Sequence, residues 1–302
     1  MHVLITGGRG QLGSELMRAL SSMNTDLGAV PSAYGNAHVD APGRRELDIA
    51  DASSVDRWFA FHHPYDLIVN CASQTNVDLC ERDEAHALLI NGTGVLNIAR
   101  HAEHQGAKLV HLSTDYVFSG QTDRDYTEND EPDPLSAYGR TKLAGERNAL
   151  DACSRTFVVR TSWLYGHTGR NFVATMLRLG ASQPDVSVVD DQFGNPTYAV
   201  DLVYQLLKLS MSEFYGIYHC SGRETCSWYD FARAIMMRMH PQCSVRRCSS
   251  TTYAASHPDA APRPARSSLC NDRIVSTVGS STRPWPIALT AYLDDLPVDV
   301  RA

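Results

Sequence analysis

Thr6-Gly7-Gly8-Arg9-Gly10-Gln11-Leu12-Gly13 decides the fold of this chain. The apolar run His2-Val3-Leu4-Ile5 precedes it, and Ser14-Glu15-Leu16-Met17-Arg18-Ala19-Leu20, with helical spacing of its apolar residues, follows. The order is strand, glycine turn, helix. Gly7 permits the tight turn off the strand, Gly10 lets backbone approach a pyrophosphate, and Gly13 lets the helix pack closely on the sheet. The helix N-terminus then faces the phosphates. A dinucleotide-binding βα unit is the expected reading.

Outward from this unit, strands and helices alternate. Asp66–Asn70 reads as a buried strand ending in Cys71-Ala72-Ser73, and residues 83–104 as one long helix. Lys108–Leu112 is the next strand, ending in Ser113-Thr114-Asp115. A helix carrying Lys142 runs to about Leu150, and Thr156–Arg160 is a further strand, ending in Thr161-Ser162-Trp163. Such alternation predicts an α/β fold, a Rossmann-like doubly wound parallel sheet, with a smaller C-terminal α/β substrate lobe. Ligands of such sheets lie beyond the carboxyl ends of the strands. Ala72, Ser73, Thr114, Thr161 and Trp163 all follow strand ends and so can line one crevice. Residues 1–160 are expected to form the NAD(P)-binding domain, with 186–216 returning to it. Residues 161–185 and 217–302 are expected to form the substrate-binding lobe. Within that second half, 186–190 and 217–219 read as strands, 198–210 and 228–239 as helices, 241–286 as a packed, loop-rich stretch, and 287–296 as a final helix.

Composition excludes several classes. A net charge of −7 over 302 residues argues against a nucleic-acid binder. No apolar run approaches the ~20 residues that span a bilayer. The first strand begins at Met1 or His2, which leaves no room for a signal peptide. Eight cysteines lack C-x-x-C spacing, so a reduced, cytoplasmic protein is expected. Cys243 and Cys248 near His240 have no second pair, and no metal site is expected.

Chemistry concentrates at Tyr138-Gly139-Arg140-Thr141-Lys142. Positions i and i+4 share a helical face, so the Lys142 ammonium is expected beside the Tyr138 hydroxyl, lowering its pKa for proton transfer. Cofactor choice is set near the end of the second strand, where an acid reads a ribose hydroxyl and an arginine a 2′-phosphate. Arg44 and Arg45 there favour NADPH, while Asp40 keeps NADH open.

At this point the chain resembles the extended short-chain dehydrogenase/reductase superfamily and, within it, the dTDP-4-dehydrorhamnose reductases. The likeness runs through TGGRGQLG (6–13), NCASQTNVD (70–78), STDYVFSG (113–120), YGRTKLAGE (138–146), RTSWLYG (160–166) and DQFGNPT (191–197) to a closing RPW (283–285). The resemblance implies reduction of the C4 keto group of dTDP-4-dehydro-L-rhamnose by NADPH. Tyr138 would donate the proton. Lys142 would lower the Tyr138 pKa and hold the nicotinamide ribose, and Thr114 would hydrogen-bond the carbonyl oxygen. It further implies that Gly10, Gln11 and Leu12 follow the pyrophosphate, and that Asp48 and Ile49 flank the adenine. Ala72, Ser73, Gln74 and Thr75 would line the cofactor's path, with Val77, Asp115 and Trp163 facing the sugar. Arg170, Arg263 and Arg266 are left between binding the nucleotide's diphosphate and packing the lobes. Some members pair through acidic residues and Mg²⁺, so a homodimer is compatible with the likeness, although no metal ligands can be placed in this chain. The loop at 28–45 is longer than the common family pattern, with the usual acidic position falling at Gly43, which counts against NADH. Two other readings stand beside the lead: a 4-ketoreductase of another dTDP-deoxysugar, and a regulatory subunit like that of methionine adenosyltransferase. Trp163 in RTSWLYG favours a reductase. Tyr116 stands where the dehydratases carry a second carboxylate.

Overall fold

The computed structural model describes residues 1–297. Its first strand, β1 (His2–Thr6), has Val3, Leu4 and Ile5 fully buried. The apolar run is uninterrupted because both faces of this strand are covered. Beside it lie β2 (His38–Asp40) on one side and β3 (Leu67–Asn70) on the other, both parallel to it. Beyond β3 come β4 (Lys108–Thr114) and β5 (Thr156–Thr161), again parallel. The chain thus leaves β1 in one direction toward β2 and in the other toward β3–β5. The crevice for a ligand opens at that reversal, at the carboxyl ends of β1 and β3.

Helices cover both faces. On one, α1 (Gln11–Ser22) packs Leu12 and Leu16 against the sheet. On the other lie α2 (Ala52–Phe61), α5 (Gly94–Gln105) and α6 (Ala137–Ala152), whose Val55, Ile98 and Ala149 close a second layer of core. The expected helix at 83–104 is not continuous. After α3 (Val77–Arg82), α4 (Glu84–Leu88) passes into a π turn at Leu89–Thr93 before α5 begins. Wide turns of this kind are frequent at functional sites, and this one carries Asn91 toward the loop after β3.

Two short strands lie on opposite sides of the expected domain boundary. Asp185–Val189 (β6), expected to return to the first domain, instead pairs with β8 (Ser244–Cys248). It turns Val186 and Val188 into a separate core with α7 (Phe172–Gly180), α9 (Trp228–Met239) and α12 (Trp285–Asp295). Gly216–His219 (β7), expected in the second lobe, completes the main sheet alongside β5. The sheet order is therefore β7-β5-β4-β3-β1-β2. Between β6 and β7, α8 (Ala199–Leu209) packs on the first core. Both strands are brief apolar runs, and only the tertiary partner distinguishes them. The stretch after β8 is packed only in part: α10 (Ser250–Ser256) buries no residue, whereas α11 (Asp272–Val278) buries Ile274, and Arg266 and Leu269 bridge to Phe193 and Tyr126. Among the described residues no helix is long and apolar enough to cross a membrane, and all eight cysteines are free.

The helix that carries Tyr138 and Lys142 is fixed at both ends of its inner face. Ser136 caps it, accepting from the Gly139 amide at 3.2 Å. Gly139 sits so close to the loop after β4 that a Cβ there would stand 2.1 Å from the Tyr116 carbonyl oxygen. Two turns on, Glu146 takes both Arg160 from β5, at 2.9 and 2.7 Å, and the hydroxyl of Ser113 from β4. Glu146 and Arg160 are each 1% exposed. Removing one member of a buried pair costs about 3–5 kcal/mol, because the other charge is left unpaired, whereas replacing both by apolar groups is often neutral. Arg160→Met should therefore lower stability by about that amount in urea denaturation, with much of the loss recovered in Glu146→Leu/Arg160→Met. An unchanged midpoint for the single variant would mean that the pair holds nothing.

Candidate functional site

A cavity of about 410 Å³ opens at the carboxyl ends of the central strands. Its floor is Gly10-Gln11-Leu12, at the N-terminus of α1. Ser73, Thr75 and Val77 form one wall, Thr114, Asp115, Tyr138 and Lys142 the back, and Trp163 the other wall. Eleven of the expected residues thus meet in one place.

The glycine turn supports this floor by backbone geometry. Gly7 has φ +65°, and a Cβ on it would lie 2.9 Å from the Ala72 amide nitrogen. Gly13 backs directly onto the Gly7 carbonyl. Gly7, Gly13 and Ala72 therefore shape the two loops without lining the cavity. The loop after β3 is held by the π-turn residue Asn91, fully buried, which accepts from Ser73 Oγ and the Gln74 amide at 2.8 Å each and donates to the Gln74 carbonyl. The Gln74 side chain itself turns to the Asn76 amide and away from the cavity.

Arg44, Asp48 and Ile49 lie outside the cavity, on the β2 side of the glycine turn. Asp48 accepts from the Ala50 amide at 3.1 Å and pairs with Arg44 at 3.1 Å. Ile49 is 3% exposed and packs against Gly94 in the core. Arg9, passed over in the sequence, lies across Gly43 and meets Glu46 at 3.3 Å. Two arginines therefore stand at this rim, each beside a carboxylate. Asp40 is taken by the Tyr65 hydroxyl at 2.8 Å.

The tyrosine–lysine geometry departs from expectation. Lys142, 3% exposed, donates its Nζ to the Leu112 carbonyl and not to Tyr138. A buried ammonium needs an acceptor, and the strand-end carbonyl supplies one. Burial lowers the Lys142 pKa to about 8, against the opposing pull of Glu146. Burial also raises the Tyr138 pKa, although Thr114 favours its charged form. The phenol is thus held protonated at neutral pH. Burial raises Asp115 to about 7, against hydrogen bonds that favour its charge.

Trp163 has φ +45°, a left-handed conformation costly for a tryptophan. Its indole stacks on Trp228 of α9, with centroids 3.5 Å apart and planes 6° from parallel. Trp228 also lines the cavity. The sequence marked it only as the start of a helix, and nothing local reveals a stacking partner so far away in the chain. Trp228 and Tyr116 further form the shared wall of a second cavity of about 650 Å³, lined by Phe172, Val188, Tyr253 and His257. Arg263 lines this second cavity and is held by Asp78 at 2.9 Å. Arg266 pairs with Asp125 across the lobes. Arg170 lines the first cavity with no hydrogen-bond or ion-pair partner among the described residues.

The family model described as RmlD substrate binding domain matches residues 1–298. The spore coat polysaccharide biosynthesis protein SpsK of Bacillus subtilis is 39% identical over 97% of each chain. A probable dTDP-4,6-dihydroxy-2-methyloxan-3-one 4-ketoreductase of Streptomyces antibioticus is 38% identical, covering 98% of this chain and 96% of that one. The crystal structure of dTDP-4-dehydrorhamnose reductase from Bacillus anthracis, in complex with NADP, superposes with a TM-score of 0.89 at 34% identity, covering 98% and 99% of the two chains. With the glycine turn, the tyrosine–lysine helix and the two-lobed crevice in place, the chain belongs to the dTDP-4-dehydrorhamnose reductase family, the RmlD group of nucleotide-sugar reductases.

Proposed function

We propose that this protein reduces the C4 keto group of dTDP-4-dehydro-L-rhamnose to dTDP-L-rhamnose with NADPH. The observation that carries the reading is the convergence of Thr114, Tyr138 and Lys142 on a cavity whose floor is the dinucleotide turn. The bound nicotinamide supplies the hydride. Tyr138, kept protonated by burial, gives its proton to the oxygen that becomes the alcohol. Thr114 donates a hydrogen bond to the same oxygen, where charge develops. With the cofactor bound, Lys142 would hold the nicotinamide ribose hydroxyls. Gln11 and Leu12 present backbone amides to the pyrophosphate, while Gly10, whose own amide is taken by the Gly7 carbonyl, leaves room for it. Ser73 and Thr75 flank the cofactor's path, and Val77, Asp115 and Trp163 shape the sugar pocket. The Bacillus anthracis relative, crystallised with NADP, supports the choice of NADPH.

A second reading, reduction of another dTDP-4-keto-deoxysugar, is favoured by the Streptomyces antibioticus relative, whose name gives it a different keto-sugar. The deciding experiment follows NADPH consumption with dTDP-4-dehydro-L-rhamnose generated in place, with product identified by chromatography. Formation of dTDP-L-rhamnose supports the lead reading. Turnover of only a different dTDP-keto-sugar supports the second, and turnover of none overturns both.

Removing the phenolic hydroxyl should cost most of the rate and little of the cofactor affinity. Tyr138→Phe is expected to lose ~10²–10⁴-fold in kcat, the usual span for a positioned proton donor, with NADPH binding by fluorescence unchanged. Full kcat in this variant would remove Tyr138 from the acid role. At the rim, Arg44→Ala and Arg9→Ala should each weaken NADPH about tenfold or more, the worth of a hydrogen bond to a charged group, and leave NADH nearly unaffected. Equal weakening of both coenzymes would show that neither arginine reads the 2′-phosphate.

A further inference from the structure

Thr114 has one hydroxyl hydrogen and two lone pairs. In this site the hydrogen is committed to Asp115 Oδ1, at 2.9 Å, and the Tyr116 amide fills one lone pair at 3.1 Å. Tyr138 lies beside the same hydroxyl. While Asp115 is a carboxylate, Thr114 therefore has no hydrogen to offer an incoming keto oxygen. Asp115 is itself 3% exposed, and its Oδ2 has no hydrogen-bond partner. Ser267 lies near it without making a hydrogen bond of good geometry.

Among the described residues no cation is paired with this carboxyl. On α6, Lys142 is held by the Leu112 carbonyl and Tyr138 is neutral. From the loop before Ser267, Arg263 is held by Asp78 of α3 and the Ala261 carbonyl. Tyr116, next in the chain, is neutral because burial raises its pKa. Arg266 pairs with Asp125. A buried carboxyl with no countercharge favours its neutral form, and burial brings Asp115 to about 7.

We propose that Asp115 acts as a neutral carboxylic acid that donates its O–H to Thr114 and so turns the Thr114 hydroxyl toward the substrate's keto oxygen. The proposal rests on the ketoreductase reading and makes Asp115 a positioning residue acting through Thr114. The proton that ends on the alcohol still comes from Tyr138, and Asp115 keeps its own. A carboxylic acid held neutral so that it can donate a hydrogen bond is a known catalytic device.

Asp115→Asn and Asp115→Ala separate this role from a merely structural one. The Asn amide donates to Thr114 at every pH, whereas Ala donates at none. In the wild-type enzyme kcat should fall as pH rises through about 7, because the neutral acid is the active form. Asp115→Asn should keep most of the neutral-pH kcat and lose that limb, falling only at the higher pH where Lys142, near 8, gives up its charge. Asp115→Ala should lose about tenfold or more in kcat at all pH values, with NADPH affinity unchanged, as when a donor to developing charge is removed. A second readout needs no turnover. Infrared spectra of the wild-type protein below neutral pH should contain a protonated-carboxyl C=O stretch that titrates near neutrality and is missing in Asp115→Asn. If Asp115→Asn falls as far as Asp115→Ala while binding NADPH, or if the infrared band is absent from the wild type, the proposal is wrong. If the wild type reduces no keto-sugar, the ketoreductase reading fails, and the infrared titration still decides the state of Asp115.

Discussion

The contact on which the rest of the site depends is the buried pairing of Glu146 with Arg160, joined by Ser113. It contributes position more than net stability, since a buried pair roughly offsets its own desolvation. Tyr138, Lys142 and Glu146 occupy i, i+4 and i+8 of α6 and so share one face. Fixing Glu146 to the ends of β4 and β5 fixes the rotation of that helix about its axis. Tyr138 and Lys142 then turn into the crevice and not along the sheet. The same carboxylate acts on Lys142, opposing the loss of its proton in a dry environment. Arg160 also lies 5.0 Å over the Phe118 ring, which ties the loop after β4 into the same arrangement.

What could be read in the sequence was what is local in the chain. A strand, three glycines at fixed spacing and a helix specify the dinucleotide turn without reference to anything distant. The i, i+4 spacing of Tyr138 and Lys142 likewise needs only a helix. The partner of Lys142 was not legible, because the Leu112 carbonyl comes from another strand and is available only once α6 is seated. Trp228 was missed for the same reason: its stacking partner, Trp163, lies far earlier in the chain. Arg9 was treated as a spacer between glycines, and its role at the rim appears only when Gly43 is folded beneath it. Asn91 gave a faint local signal, a polar residue before Gly92 inside an apparent helix, and the π turn is the form that signal took.

The rim beside the glycine turn is built to suit the anion that the proposed NADPH reading brings there. Arg9 and Arg44 are exposed and each has an acidic neighbour, Glu46 and Asp48. Surface pairs of this kind contribute at most about 1 kcal/mol, so on the proposed NADPH reading a phosphate would displace the carboxylate at little cost. Until then the pairs would hold two long side chains near that position, which would reduce the ordering required on binding.

The wall made by Tyr116 and Trp228 divides the crevice into two chambers, one beside the tyrosine–lysine pair and one deep in the second lobe. A long, two-part ligand that occupies both has its two ends judged by different sets of residues. On the proposed reading, mutations among Phe172, Val188 and Tyr253 would alter which tail is accepted without touching the reacting carbonyl. Changes near Val77 or Trp163 would alter which ring is accepted without touching the tail. Such a partition lets a lineage drift from one sugar to another in small steps while its redox machinery stays intact, and it offers protein engineers two independent dials on one catalyst.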